Sequence, residues 1–142
     1  AERLQKQTPL TVVEGQDGQV VSPGTMFIAP GDYHMRVRQA GPQVVVSLDQ
    51  GPPENSCRPA VDVLFRSVHE VYGGQVLSAI LTGMGQDGLR GVELIKASGG
   101  YVAVQDEATS VVWGMPGAVA RAGLADAVLP LEEIVPDLLR HV

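Results

Sequence analysis

An apolar run at residues 76–81 passes directly into a glycine-rich turn at residues 82–88, and this junction most constrains the fold. Three residues of the turn are glycine. A chain gives up that much conformational freedom where its backbone takes positive φ or closely approaches another group. A helical pattern of apolar residues then starts at Leu89 and closes at the glycine pair 99–100. Strand, turn and helix in this order predict a β/α unit.

The chain on either side continues the alternation of strands and helices. Further β-rich runs, bounded by Gly, Pro and Asp, lie at residues 10–14, 25–29, 34–38, 44–48, 101–104 and 127–129. Helical periodicity lies at residues 59–71, 116–122 and 131–140. The pattern predicts an α/β, doubly wound, mostly parallel sheet with an antiparallel hairpin insertion near residues 25–50, as part of a three-layer α/β/α domain.

Composition favours one globular domain over residues 1–142. Hydrophobic residues make up 44% of the chain and charged residues 18%, which suits a packed core and not a disordered segment. The formal charge is −6 and the basic residues are scattered, so we expect no nucleic-acid partner. The single cysteine, Cys57, excludes an internal disulfide, and no apolar run approaches the roughly 18 residues of a membrane span. We expect a cytoplasmic protein without membrane insertion.

Asp87 is the leading candidate for a functional side chain, because it lies in the glycine turn after a predicted strand. Catalytic groups of open parallel sheets gather beyond the carboxyl ends of the strands. A carboxylate there can accept the N–H of a histidine and stabilise the imidazolium formed when histidine takes a proton from serine, while turn amides face an oxyanion. Asp is also a favoured helix N-cap, so capping of the following helix is an equally open alternative.

Dinucleotide binding is a second alternative for the same turn. Residues 83–88 match Gly-x-Gly-x-x-Gly, follow a predicted strand, precede a helix and have Asp106 about twenty residues downstream. Against this interpretation, the charge of Asp87 would lie beside a pyrophosphate at the helix N-terminus and repel it. We therefore expect no cofactor.

Several other residues are weaker candidates for the same crevice. Ser110 follows the strand at residues 101–104, although ordinary turn hydrogen bonding explains a serine there more simply. Trp113 and Met115 can form an aromatic wall and a rigid turn, although a lone Trp is usually a packing residue. The possible pocket lining comprises Gly83, Gly85, Ser110, Trp113 and Met115.

Histidine and cysteine spacing indicates no metal site. His34 lies in an alternating strand pattern and His69 on the polar side of a helix, and neither has a second histidine at ligand spacing. A Gly-x-Ser-x-Gly nucleophile elbow does not occur either. The sequence thus offers a candidate triad aspartate without an evident serine nucleophile.

Four ordered segments resemble the catalytic domain of the chemotaxis protein-glutamate methylesterases, the CheB family. Two of them are residues 81–88, Leu-Thr-Gly-Met-Gly-Gln-Asp-Gly, and residues 106–118, which start with Asp-Glu-Ala-Thr-Ser and end with Trp-Gly-Met-Pro-Gly-Ala. Residues 28–35 and 58–65 resemble two further segments, in the right order and at suitable distances. The resemblance covers about residues 1–135, nearly the whole chain.

The resemblance implies a serine esterase that hydrolyses the γ-methyl esters of glutamyl residues on chemoreceptors, releases methanol and deamidates receptor glutamines. Asp87 matches the family's triad aspartate. Met84 matches the residue whose backbone N–H contributes to the oxyanion hole. Methylated chemoreceptors are the implied partners, and the resemblance implies no cofactor.

Two segments of the family pattern do not occur in residues 1–142: the Gly-Thr-Ser-x-Gly-Gly of the serine and the Gln-His-Met-Pro of the histidine. An aspartate alone has nothing to orient and no nucleophile to activate. We therefore interpret the chain as the C-terminal portion of the catalytic domain, which needs an upstream segment, preceded by a receiver domain, and is inactive alone. Exposed strand edges would then favour association of the isolated chain. A non-catalytic receptor-binding module is the alternative.

Overall fold

The computed structural model describes all 142 residues, and they form two compact units, Ala1–Val71 and Tyr72–Val142. The elements of the amino-terminal part are α1 (Glu2–Gln5), β1 (Thr11–Glu14), β2 (Thr25–Ile28), β3 (His34–Ala40), β4 (Gln43–Asp49) and α2 (Val61–Tyr72). Those of the carboxy-terminal part are β5 (Leu77–Ile80), α3 (Leu89–Ala97), β6 (Tyr101–Gln105), α4 (Met115–Arg121), β7 (Ala127–Leu129) and α5 (Leu131–Leu139). No helix combines the length and the apolar character of a bilayer-spanning segment.

The antiparallel hairpin of the amino-terminal unit is smaller than the sequence indicated. β3 and β4 pair antiparallel, with His34 opposite Asp49, so the hairpin spans residues 34–49. β2, which the prediction placed at the start of the hairpin insertion, pairs instead in parallel with β1. The segment that joins β1 to β2 runs beside β4, where the Val21 amide donates to the Val44 carbonyl oxygen at 2.8 Å. Alternating hydrophobicity identifies a strand but not the direction of its partner.

The carboxy-terminal unit confirms the predicted α/β class. Its three strands are parallel in the order β5-β6-β7. Helices α3, α4 and α5 all contact β6, the central strand. Residues 102–105 of β6 are all buried, and successive side chains of a strand point to opposite faces. Both faces of β6 are therefore covered, as expected for a parallel sheet inside a three-layer unit.

The glycine pair after α3 has the helix-ending role that the sequence predicted. Gly99 has φ of 90°, a left-handed conformation that favours glycine. The Gly100 amide donates to the Ile95 carbonyl oxygen at 2.9 Å. A Cβ at Gly100 would lie 2.3 Å from Cγ2 of Ile95, which is fully buried. The second glycine thus allows the chain to pass close to the helix and enter β6.

A polar cluster closes the amino end of β6. The Tyr101 hydroxyl donates to Oδ2 of Asp137 at 2.7 Å, and the His141 ring stacks on Tyr101 with the centroids 3.8 Å apart. Arg140 donates to the other oxygen of the Asp137 carboxylate at 2.9 Å. The hydrogen bond to Asp137 raises the pKa of Tyr101 to about 12, and the same bond lowers the pKa of Asp137. The cluster joins α5 to the central strand.

This cluster predicts a loss of stability in alkali. Because the pKa of Tyr101 is raised from 10.0 in the unfolded chain to about 12 in the folded one, its contribution is fully present below pH 10 and is lost as the pH rises towards 12. Tyr101→Phe removes the titrating group. We expect the urea midpoint of the wild type to fall over this range and that of the variant to fall less. A control, Tyr33→Phe, alters an exposed tyrosine and should behave as wild type. An equal alkaline loss in Tyr101→Phe would contradict the assignment.

Candidate functional site

Asp87 lies in the loop that joins the carboxyl end of β5 to α3. The residue is only 7% exposed. Gly85 and Gly88 have φ of 86° and 100°, so the two glycines supply the left-handed turns that bring Asp87 inward. Gly88 occupies the N-cap position of α3, and Asp87 precedes it. The structure thus places a shielded carboxylate at the carboxyl edge of the parallel sheet.

Gly83 joins this loop to the segment that leads into α4. It forms a parallel bridge with Trp113, and its amide donates to the Val112 carbonyl oxygen at 3.0 Å. Its own carbonyl oxygen accepts the amide N–H groups of Gly114 at 3.2 Å and Met115 at 2.9 Å. The pairing of the sheet is therefore continued beyond the strands by the two loops.

Two glycines permit this close approach. A Cβ at Gly83 would lie 2.5 Å from Sδ of Met115. A Cβ at Gly114 would lie 2.7 Å from the Gly83 carbonyl oxygen and 2.8 Å from that of Gly85. Gly83 thus lies against Met115, and Gly114 against Gly83 and Gly85. The prediction that Gly83, Gly85 and Met115 line a pocket stays a prediction, and the part played by Gly114 was not recognised in the sequence.

Gln105, the last residue of β6, ties three segments of the site together. Its Oε1 accepts the Thr82 amide N–H at 2.8 Å, and its Nε2 donates to the Thr109 carbonyl oxygen at 2.8 Å. Its backbone carbonyl oxygen accepts Nε1–H of Trp113 at 2.8 Å. The residue is 1% exposed. Sequence reasoning missed Gln105, although a polar residue at the end of an apolar strand was a usable signal.

Ser110 is held within its own loop. Its hydroxyl donates to the Asp106 carbonyl oxygen at 2.6 Å, and the Thr109 hydroxyl donates to Oδ1 of Asp106 at 2.6 Å. The Thr109 amide donates to the same carboxylate oxygen at 3.0 Å. These are the turn hydrogen bonds of the simpler interpretation. The structure shows no bond between Ser110 and the Asp87 loop.

Met84 lies on the loop after β5 and is exposed, whereas Trp113 lies on the loop after β6 and is half-buried. The half-buried Trp113 ring faces the Arg121 guanidinium, 5.4 Å from the ring centroid, on α4. Met84 is 84% exposed, and its backbone N–H has no acceptor among the hydrogen bonds of the chain. This amide is therefore not used by the hydrogen bonds of the fold.

The histidine of the carboxy-terminal unit lies at the wrong end of the sheet to serve Asp87. His141 stacks on Tyr101 at the amino end of β6, whereas Asp87 follows the carboxyl end of the parallel neighbour β5. In the amino-terminal unit, the buried His34 donates from Nε2 to the Pro52 carbonyl oxygen and accepts the Ala60 amide at Nδ1. No group of three His, Cys, Asp or Glu side chains could hold a metal ion. The Asp87 loop thus holds a carboxylate and an amide that makes no hydrogen bond within the chain, and His141 lies at the opposite end of the sheet.

Residues 1–138 match the family model for the CheB methylesterase, and the chain belongs to this family. A protein-glutamate methylesterase/protein-glutamine glutaminase of Trichodesmium erythraeum is 54% identical over the whole chain, which covers 40% of that relative. One from Nocardioides sp. is 57% identical, with 39% of the relative covered. The crystal structure of the Thermotoga maritima CheB methylesterase catalytic domain superposes with a TM-score of 0.97 at 42% identity. All of this chain and 75% of that structure are covered.

These comparisons confirm the family and the fold that the sequence predicted. The chain spans about two fifths of the length of the curated relatives it matches. The comparisons do not test the roles of single residues, so the assignments of Asp87 and Met84 stay predictions.

The contact between the loops predicts that Gly114→Ala is destabilising. The added Cβ meets backbone atoms of Gly83 and Gly85 below 3 Å, so one loop must move. The backbone of Gly114 is in the right-handed region, which alanine also adopts, so only the close contact opposes the substitution. We expect a loss of about 1–3 kcal/mol in urea unfolding. Gly31→Ala, where a Cβ meets nothing within 4 Å, is the matched control and should stay within about 0.5 kcal/mol. Unchanged stability of Gly114→Ala would refute the close approach.

Proposed function

We propose that the chain is part of a protein-glutamate methylesterase that hydrolyses glutamyl γ-methyl esters, and deamidates glutamines, on chemoreceptors. Asp87 is the aspartate of its Ser-His-Asp triad. The observation that carries the proposal is the shielded carboxylate in the glycine turn of a chain that matches the CheB methylesterase family along 1–138. The names of the relatives support both activities, since they specify protein-glutamate methylesterase and protein-glutamine glutaminase.

The proposed reaction is acyl transfer through a serine. The serine oxygen attacks the γ-carbonyl carbon of the methyl ester while the histidine takes its proton. Asp87 accepts the other ring N–H, which fixes the tautomer and stabilises the imidazolium. The Met84 amide donates to the oxyanion. The histidine then gives its proton to the leaving methoxide, and methanol departs. Water releases the glutamate, and a glutamine substrate loses ammonia in place of methanol.

The burial of Asp87 suits this role. Shielding from water strengthens the attraction between a carboxylate and an imidazolium, because the effective dielectric constant is lower than in bulk solvent. The histidine of the same unit, His141, is engaged at the opposite end of the sheet. The proposal therefore assigns the serine and the histidine to a segment outside residues 1–142, which form the C-terminal portion of the catalytic domain. A receiver domain upstream completes the proposed protein.

The outer edge of β5 supports the proposal that further strands complete the sheet. β5 pairs with β6 alone. The Tyr101 amide of β6 donates to the Val76 carbonyl oxygen, so the backbone of Val76 faces β6. Because backbone direction alternates along a strand, the N–H and C=O groups of Leu77 and Ala79 face away from β6. Leu77 is 40% exposed and Leu81 43%. An apolar edge with unpaired backbone groups is the kind that proteins cover with another strand.

A non-catalytic receptor-binding module is the second candidate, favoured by the exposed apolar surface of the two loops. Met84 is 84% exposed and Val111 is 90% exposed, and such side chains often mark a contact surface. A full-length protein that binds methylated receptor without releasing methanol would favour this candidate. Dinucleotide binding is a weaker explanation of the glycines, since Gly83 already has a packing reason in its contact with Met115.

Asp87→Asn in the full-length protein tests the triad assignment. The amide keeps the shape of the side chain but cannot stabilise the imidazolium, so we expect turnover to fall by about 10⁴-fold. The melting temperature should change little. Glu107→Gln makes the same chemical change at an exposed position of the neighbouring loop and should leave turnover unchanged. Methanol release from methylated receptor measures both variants, and near-normal turnover of Asp87→Asn would remove Asp87 from the triad.

A further inference from the structure

Gln105 is a buried polar side chain in a place that packing alone would fill with an apolar one. The residues before it in β6, 102–104, are fully buried and apolar, and Gln105 is 1% exposed. Burying a side-chain amide costs free energy unless its hydrogen bonds are made. Here both ends of the amide are bonded, to Thr82 on one side and to Thr109 on the other. A satisfied buried amide fixes geometry, because any movement of its neighbours leaves a polar group unpaired.

The two partners of Gln105 belong to the two loops of the site. Thr82 immediately precedes Gly83 and Met84, so the bond from its amide to Oε1 sets where the Asp87 loop leaves β5. Thr109 lies in the loop after β6, and its hydroxyl also accepts the Leu131 amide at 3.1 Å. One side chain therefore fixes the separation of the two loops at their base.

The main chain of Gln105, as distinct from its side chain, holds the aromatic side of the site. The Gln105 carbonyl oxygen accepts the indole N–H of Trp113, the residue that bridges Gly83. The backbone hydrogen bonds of Gly83 also join the two loops. The Thr82 hydroxyl donates to the Val112 carbonyl oxygen and accepts the Val112 amide N–H. Gln105 is the one side chain of this network that lies in the central strand.

We propose that Gln105 is a positioning residue for the esterase reaction. Its side-chain amide holds the Thr82 amide and the Thr109 loop so that the Met84 N–H and the Asp87 carboxylate keep their places. This role rests on the proposed function. Displacement of a catalytic group by about 1 Å can cost about 10²-fold in rate, so loss of the tether acts on turnover more than on substrate binding.

Gln105→Met in the full-length protein is the first test. Methionine has a similar length but lacks the amide. We expect kcat for methanol release to fall by about 10- to 100-fold, with KM within about threefold of wild type. Hydrogen exchange of the Thr82 amide should quicken by at least about tenfold. Ser78→Ala is the control, since it removes a buried side-chain bond, to the Tyr101 carbonyl oxygen, at the other end of the sheet. It should leave kcat and the Thr82 amide unchanged.

Gln105→Glu decides the question even if Gln105→Met does not fold. The ionised carboxylate still accepts the Thr82 amide but cannot donate to Thr109, whereas the protonated carboxyl group can do both. The ratio of the kcat of Gln105→Glu to that of wild type should therefore rise as the pH falls. A flat ratio near one, or wild-type kcat and wild-type Thr82 exchange in a folded Gln105→Met, would overturn the proposal. Lack of methanol release by the wild-type protein would overturn the proposed function itself.

Discussion

The backbone contact of Gly83 with residues 112–115 is the interaction on which the candidate site depends. It extends the pairing of parallel strands into their loops, so the carboxyl edge of the sheet is continued by hydrogen-bonded backbone. Such proximity is possible because positions 83 and 114 carry no side chain. The turn beyond Gly83 then needs left-handed backbone at Gly85 and Gly88, and Asp87 is carried inward between them. The geometry of the candidate site therefore depends on the glycines at positions 83, 85, 88 and 114.

Much of the fold could be predicted because its signals are local. Periodicity located β5, α3 and β6 within a residue or two, and the glycines at 99–100 ended α3 as expected. Strand direction is not local: β2 has the same alternating pattern whether it joins a hairpin or, as here, pairs in parallel with β1. The hairpin was therefore placed too broadly.

For the candidate site too, local signals could be predicted from the sequence and contacts across the chain could not. Asp87 and the glycine turn are recognisable because charge and glycine are unusual after an apolar strand. Gln105 and Gly114 were missed because their importance arises from contacts across the chain, from Gln105 to Thr82 and from Gly114 to Gly83. The proposed catalytic residues are divided between this chain and a segment outside it. Met84 and Asp87, the proposed oxyanion donor and triad aspartate, both lie on the loop between β5 and α3, and the proposal takes the serine and the histidine from a segment that completes the sheet.

The most direct measurement is methanol release from methylated chemoreceptor by residues 1–142 alone, by the upstream segment of the catalytic domain alone, and by the two mixed. The account predicts release only from the mixture, since the triad is complete only when both parts are present. Release by residues 1–142 alone would contradict it, because the nucleophile and base would then lie within this chain. Release by the upstream segment alone would equally contradict it, because Asp87 would not be needed.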